Sequence, residues 1–323
     1  MSDRNALIND FLTDTAWQDW THAPLAGDAS ARRYHRLSSN GQSVILMDAP
    51  PENGEDTVPF VEIATLLRKA GFAAPDILLH DAKNGLLLLS DLGTADYAQW
   101  LRKTPTDEGR LYHSATTVLL KLEDLPPPPH LKHLTPAIGA EMVEIVGTHY
   151  THASVADLCT EVKKSLEEFA PEPTVLALRD YHAENLIWRA GKTGIDQVGL
   201  LDFQDAFIAP PGYDLASLLR DARRDVSPAI VEDMITYFGA RTKATTPFRT
   251  SLACLGVQRN LRILGVFARL VSTLNKPRYT AFMPRVWAHI MEDLQDPALA
   301  TLRQAVIDLV PEPTATRLAG RAT

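Results

Sequence analysis

The sequence predicts an α+β fold in two parts, a small antiparallel β lobe with one helix and then a larger, mainly helical lobe. Three observations predict it. Two hairpin signals flank a single helical stripe ahead of residue 93. Apolar residues recur at three- and four-residue spacing through most of the chain that follows. One island of short apolar runs interrupts that helical stretch.

The elements follow in chain order. Residues 31–37 and 42–47 flank a turn carrying Asn40-Gly41, the dipeptide most diagnostic of a hairpin. Residues 58–70 set Phe60, Ile63, Leu66, Leu67 and Ala70 on one helical stripe, with Gly71 as its stop and Pro75 just beyond. Residues 77–80 and 86–89 form a second hairpin around Asn84-Gly85. That order calls for an antiparallel sheet covered by one helix. Ser90-Asp91-Leu92-Gly93 punctuates the unit, so the expected lobes are 1–92 and 93–323. Helical periodicity then covers 108–122, 157–169, 213–224, 227–237, 252–274 and 284–294, and four prolines at 126–129 make a stiff connector. The island comprises 174–178, 186–188 and 197–201, the last two joined by a turn at 191–194.

The chain has 323 residues, enough for a substantial core. Its 32 basic and 40 acidic residues leave a formal charge of −8, which argues against coating nucleic acid or an anionic membrane. A local basic pocket remains compatible with that total. Hydrophobic content of 45% with 22% charged residues is that of an ordinary soluble globular protein. Cys159 and Cys254 show no C-x-x-C spacing, so a disulfide scaffold or a cysteine zinc site is not expected. With no apolar run long enough to span a bilayer and no leader pattern, the expectation is a cytoplasmic protein without membrane or nucleic-acid partners.

Polar residues concentrate in the island. It reads Arg179-Asp180-Tyr181-His182-Ala183-Glu184-Asn185, and later Asp202-Phe203-Gln204-Asp205 at the end of an apolar run. Phosphoryl transfer from a nucleotide needs a carboxylate near the acceptor hydroxyl and oxygen ligands for a divalent metal. An Asp, an Asn five positions on, and a second Asp ending the next strand supply those groups in that order. The plain alternative, that these are only turn residues, leaves their joint spacing unexplained.

Asp180 through Asn185 resembles the D-x-H-x-x-N loop of the aminoglycoside phosphotransferase and choline kinase-like superfamily, which shares the protein-kinase-like fold. Residues 201–205 are similar to that superfamily's I-D-x-x-D segment. Within it, residues 27–34, 47–52, 258–270 and 276–279 resemble the bacterial anomeric kinases of N-acetylmuramate and N-acetylglucosamine, and the resemblance covers nearly the whole chain.

The resemblance implies a role for each residue. Asp180 receives or orients the acceptor hydroxyl's proton, while Asn185 and Asp202 hold Mg2+ against the phosphates of ATP, with Asp205 ordering the same shell. Gly27, Asp28, Ala29 and Ser30 form the turn over the phosphates. Ser90, Asp91 and Leu92 offer backbone groups to adenine, and Asp214 braces the catalytic loop. The sequence departs from the pattern at two places. Leu178 stands where relatives carry His. Met47 stands where a strand lysine grips the phosphates, so Arg32 or Arg33 is expected to supply the missing cation. His182 reads either as a buried hydrogen-bonded residue or as an acceptor-side group. Arg259 and Arg269 read either as a solvated face or as recognition of a hydroxyl-rich or anionic acceptor such as a lactyl carboxylate. His149, Tyr150 and His152 form a further polar cluster that an acceptor pocket could use.

The expected activity is Mg2+-dependent phosphoryl transfer from ATP to a small-molecule sugar, at the anomeric hydroxyl of an amino sugar. An aminoglycoside- or choline-type alcohol acceptor and a non-catalytic nucleotide-binding pseudokinase are the alternatives.

Overall fold

In the computed structural model, which describes residues 4–25 and 31–319, Asn40 and Gly41 both take positive φ, 50° and 76°. That is the turn a tight hairpin needs, and β2 (Arg33–Ser39) and β3 (Gln42–Asp48) pair antiparallel across it. The second hairpin joins β4 (Ile77–Asp81) to β5 (Leu86–Ser90). Gly85 has φ +68°, and a Cβ there would lie 2.0 Å from the Ala49 carbonyl oxygen, so no other residue fits. With β1 (Thr21–Leu25), these strands make a five-stranded antiparallel sheet in the order β1-β2-β3-β5-β4.

Both faces of β5 are buried. On one, Leu86 and Leu88 cluster with Leu37, Val44 and Leu46 beneath Ile8 and Leu12 of α1 (Arg4–Leu12). The helix α2 (Val58–Lys69) buries Phe60, Ile63, Ala64 and Leu67. Each fully buried leucine or phenylalanine contributes about 2 kcal/mol. The expected lobe had one helix; the structure adds α1 and the strand β1. α1 buries two positions, four apart, too short a stripe to read from sequence, and Arg4 ties it to Asp48 and to the Asn84 carbonyl oxygen. The strand β1 is exposed along nearly its whole length and contains Pro24, so its pairing comes from β2 and not from its own pattern.

By contacts the chain divides into two compact units, Met1–Trp100 with Glu184–Asp205, and Leu101–Ala183 with Ala206–Thr323. The expected lobes were continuous, whereas the first unit takes in a later hairpin. Here β7 (Leu186–Trp188) pairs with β8 (Val198–Leu200). The Leu200 N–H donates to Ala73 O at 2.8 Å and the Trp188 N–H to Ala95 O at 2.9 Å. Phe203 stacks on Phe60 at 4.8 Å between centroids. The rest of the island is separate: β6 (Val175–Ala177) pairs with β9 (Phe207–Ala209), a strand the periodicity did not show.

The chain crosses between units within α3 (Tyr97–Lys103). The second unit then comprises α4 (Glu108–Leu122), α5 (Pro136–Glu141), α6 (Glu144–Val146), α7 (Ala156–Phe169), α8 (Tyr213–Leu219), α9 (Pro228–Gly239), α10 (Phe248–Ser272), α11 (Met283–Asp293), α12 (Ala300–Leu309) and α13 (Ala315–Ala319). The longest of these, α10, is buried on most of its surface and anchors one large core. The helix expected over 213–224 stops at Leu219. Asp221 accepts the Arg223 N–H at 2.8 Å in a local turn that competes with another helical round. Among the described residues, no helix is long and apolar enough to cross a membrane.

Candidate active site

In the second unit, the loop after β6 is shaped by one carboxylate. Asp214, near the start of α8, accepts the Leu178 N–H at 2.5 Å and the Arg179 N–H at 2.9 Å. Arg179 sits at φ +75°, a left-handed conformation that non-glycine residues adopt at a cost. The two amide bonds to Asp214 hold it there. Burial pushes the Asp214 carboxyl up to about 7, opposing those amide bonds and the Arg259 charge, with Asp180 adding to the upward push. Further along the loop, the Tyr181 hydroxyl donates to Ala115 O at 2.9 Å, and Asp221 accepts the Ala183 N–H at 3.4 Å. Asp180 is therefore presented, half-buried, from a loop tied at both ends. Leu178 fills the position of the absent histidine as a buried apolar residue, so the bracing is from Asp214 to the backbone.

His182 is buried, and Arg223 Nη1 lies 3.3 Å from its Nε2. An arginine only donates, so Nε2 accepts and the ring proton sits on Nδ1. Burial first, then the Arg223 and Arg259 charges, hold this imidazole well below the usual histidine range. Arg259 is buried on α10, whereas Arg269 is exposed ten residues further along the same helix, about 15 Å away by the helical rise. Thus Arg259 joins the cluster around the Asp180 loop and Arg269 does not. Sequence reading passed over Arg223 and Tyr213 as members of this cluster, and for Arg262 it favoured a solvated face over acceptor recognition, whereas Arg262 is half-buried near Tyr213 and Asp180. Arg223 follows a broken helix, and Tyr213 sits in an apolar pattern that reads as core. The cluster His149–His152 also disperses: Tyr150 is a core residue whose hydroxyl donates to Pro311 O at 2.7 Å, and His152 lines a separate open hollow with Glu144 and Cys159.

In the first unit, Asp202 closes the segment after β8 at φ +57°, another left-handed non-glycine residue. Its Oδ2 lies 3.4 Å from Asn185 Nδ2, and its Oδ1 accepts from Gln204 Nε2 at 2.8 Å. Asn185 and Asp202 thus place an amide and a carboxylate side by side. This hard-oxygen set fits an Mg2+-like ion that also takes phosphate oxygens and water. Asp205 is exposed at the end of the segment.

Met47 is fully buried in β3, opposite Tyr34 and Leu87 across the ladders, and no cation can reach the phosphates from it. Arg32, just ahead of β2, instead pairs with Glu55, Nε to Oε2 2.6 Å, both side chains nearly buried. Tyr34, Glu55 and Asp202 all lie within electrostatic reach of its guanidinium. Arg33 is exposed. Nothing in the sequence around Glu55 marked it as a partner. Gly27, Asp28, Ala29 and Ser30 lie outside the described residues. Ser90 and Asp91 are committed to structure. The Ser90 N–H donates to Asp76 O, and the Asp91 carboxylate receives Arg36, Ser43 and the Gly93 N–H. Burial raises the Asp91 carboxyl, but the Arg36, Gly93 and Ser43 hydrogen bonds outweigh it and hold the group below the ordinary value. Of the three expected adenine contacts, these bonds take up the Ser90 amide and only the side chain of Asp91, not the backbone of Asp91 or Leu92.

An antiparallel five-stranded unit with a larger helical unit is the protein-kinase-like fold of small-molecule phosphotransferases. A choline/ethanolamine kinase family protein from Mesorhizobium loti shares it at a TM-score of 0.64 and 14% identity, over 94% of this chain and 99% of that one. The phosphotransferase enzyme family model matches residues 21–249. The chain belongs to this family, and it is a small-molecule kinase that uses ATP as co-substrate with a divalent metal ion. It is similar to a Caulobacter vibrioides N-acetylmuramate/N-acetylglucosamine kinase, 35% identical over 94% of this chain and 95% of that protein. A Pseudomonas putida protein of the same description is 32% identical, with 94% and 93% covered.

Proposed function

We propose that this chain phosphorylates the anomeric hydroxyl of N-acetylmuramate or N-acetylglucosamine, with Mg2+ as the metal of its ATP complex. The observation that carries the reading is near-full-length similarity to relatives that share one acceptor description, in a chain that retains Asp180, Asn185 and Asp202 at the family spacing. When bound, the metal neutralises phosphate charge and orients the transferring group. Asn185 and Asp202 are its protein ligands, and Asp205 orders the water around it. Asp180 accepts a hydrogen bond from the anomeric hydroxyl and takes its proton as the sugar oxygen attacks the γ-phosphorus and ADP departs. Arg32, held by Glu55, supplies the phosphate-side cation that Met47 does not. Asp214 keeps the loop in its strained shape and touches no substrate.

The test is a panel of acceptor sugars with radiolabelled ATP and magnesium. Wild-type protein is expected to yield an alkali-stable but acid-labile sugar 1-phosphate, and Asp180→Asn to yield about a hundred- to ten-thousandfold less. Transfer to aminoglycosides or choline but to neither amino sugar would overturn the acceptor assignment. Tight ATP binding with no transfer to any acceptor would overturn catalysis.

A further inference from the structure

In the second unit, four arginines gather around the Asp180 loop. Arg179 and Arg262 face the loop, Arg223 touches His182, and the Arg259 charge reaches His182, Tyr213 and Asp214. Asp214 lies among them, and burial raises its carboxyl to about 7. Arg259 is the member that calls for an explanation. It is 5% exposed, its Nη1 is shut away from solvent, and that nitrogen has no hydrogen-bond partner among the described residues. The Tyr213 hydroxyl is in the same condition. A buried guanidinium with an unspent donor is costly unless an anion completes it.

We infer that Arg259, with the Tyr213 hydroxyl, is the subsite for a carboxylate on the acceptor, so that the acceptor pocket is built for an acidic sugar in preference to a neutral one. The inference rests on the amino-sugar reading above and says which of the two sugars the pocket selects. N-acetylmuramate differs from N-acetylglucosamine by a lactyl ether whose carboxylate matches a guanidinium's paired N–H donors. His182 stays neutral in this surrounding, so it accepts from Arg223 and does not compete for the anion. A guanidinium at that position also disfavours a polyamine acceptor such as an aminoglycoside by repulsion. Arg259 here is a specificity residue, with no part in proton transfer.

The experiment compares N-acetylmuramate with its methyl ester, which removes the charge and little else, and with N-acetylglucosamine. In wild-type protein, kcat/KM is expected to be at least tenfold higher for the acid than for the ester. In Arg259→Met that advantage is expected to collapse, with the loss in KM and not in kcat, and Arg259→Lys is expected to restore part of it. Tyr213→Phe should narrow the same ratio by a smaller factor. An unchanged acid-to-ester ratio in Arg259→Met, or equal losses on all three sugars, overturns the subsite. Calorimetric binding of the acid and the ester without nucleotide decides the point independently of turnover: wild-type protein binding both equally also overturns it. Failure of wild-type protein to phosphorylate any of the sugars is a separate result, and it strikes the acceptor assignment.

Discussion

Two buried arginines, one in each unit, differ in how they are paired. Arg32 is nearly buried and paired, its Nε 2.6 Å from Glu55. Arg259 is as deeply buried, and one of its terminal nitrogens has no partner among the described residues. A paired cation is oriented by its carboxylate and can serve phosphates without changing the protein's own charge balance. An incompletely hydrogen-bonded one leaves a donor for a ligand to complete. Under the proposed roles, the difference teaches that the donor side is preassembled from protein charges, while the acceptor side is completed by its substrate.

The sharpest separation of the two sides is Asp180→Asn. Turnover should fall by the equivalent of about 3 to 5 kcal/mol in the barrier. ATP binding on the Arg32 side and N-acetylmuramate binding on the Arg259 side should survive, as calorimetry would show. Next in size is Met47→Lys, which returns the family's cation to its usual strand. Met47 is fully buried, so the lysine should destabilise the fold by about 3 kcal/mol and lower the urea midpoint instead of restoring phosphate contact. A stable and more active Met47→Lys protein would break the claim that Arg32 has taken over. Arg32→Ala should then raise KM for ATP about ten- to a hundredfold, and Glu55→Gln by less, with sugar binding unaffected in each.

A smaller effect is visible in pH dependence. Burial raises Asp214 to about 7 and Asp293 to about 6, the latter against its contact with Arg220. Between pH 4 and those values the native state holds protons that the unfolded chain has released. Stability from these groups is therefore full at low pH and declines as pH rises, by at most about 1.4 kcal/mol per pH unit for each group. Urea midpoints from pH 4.5 to 7.5 should show a flatter decline in Asp293→Asn than in wild type, with the difference confined below about pH 6. The least effect is expected from Arg259→Met on stability. Replacing an incompletely paired buried charge by an apolar side chain of similar length should leave Tm unchanged or higher. A large fall in Tm would mean that the guanidinium is a structural member, and the comparison with Arg32 would lose its point.

The legible and illegible parts of the molecule differ for physical reasons. Residues 108–122 form the helix their periodicity predicts, and the Asn40-Gly41 hairpin lies where its dipeptide puts it, because each depends on neighbours in sequence. The segment 213–224 broke that rule when Asp221 captured the Arg223 N–H. The island of short strands was visible as strands, yet its partition between two units was not. That partition depends on Ala73, Ala95 and Phe60, more than eighty residues upstream.

By itself the sequence determined the hairpins, the main helices, the candidate residues proposed for phosphotransfer and the fact that Met47 has no cation to offer phosphate. Those rest on periodicity, turn chemistry and functional-group inventory, all of which are local or additive. Only the tertiary structure decided that Glu55 holds Arg32, that Asp214 braces the Asp180 loop through two amides, and that Arg259 is buried where Arg269 is exposed. Each of these turns on which distant groups share a low-dielectric space. Charge balance in such a space follows from folding and cannot be summed along the chain.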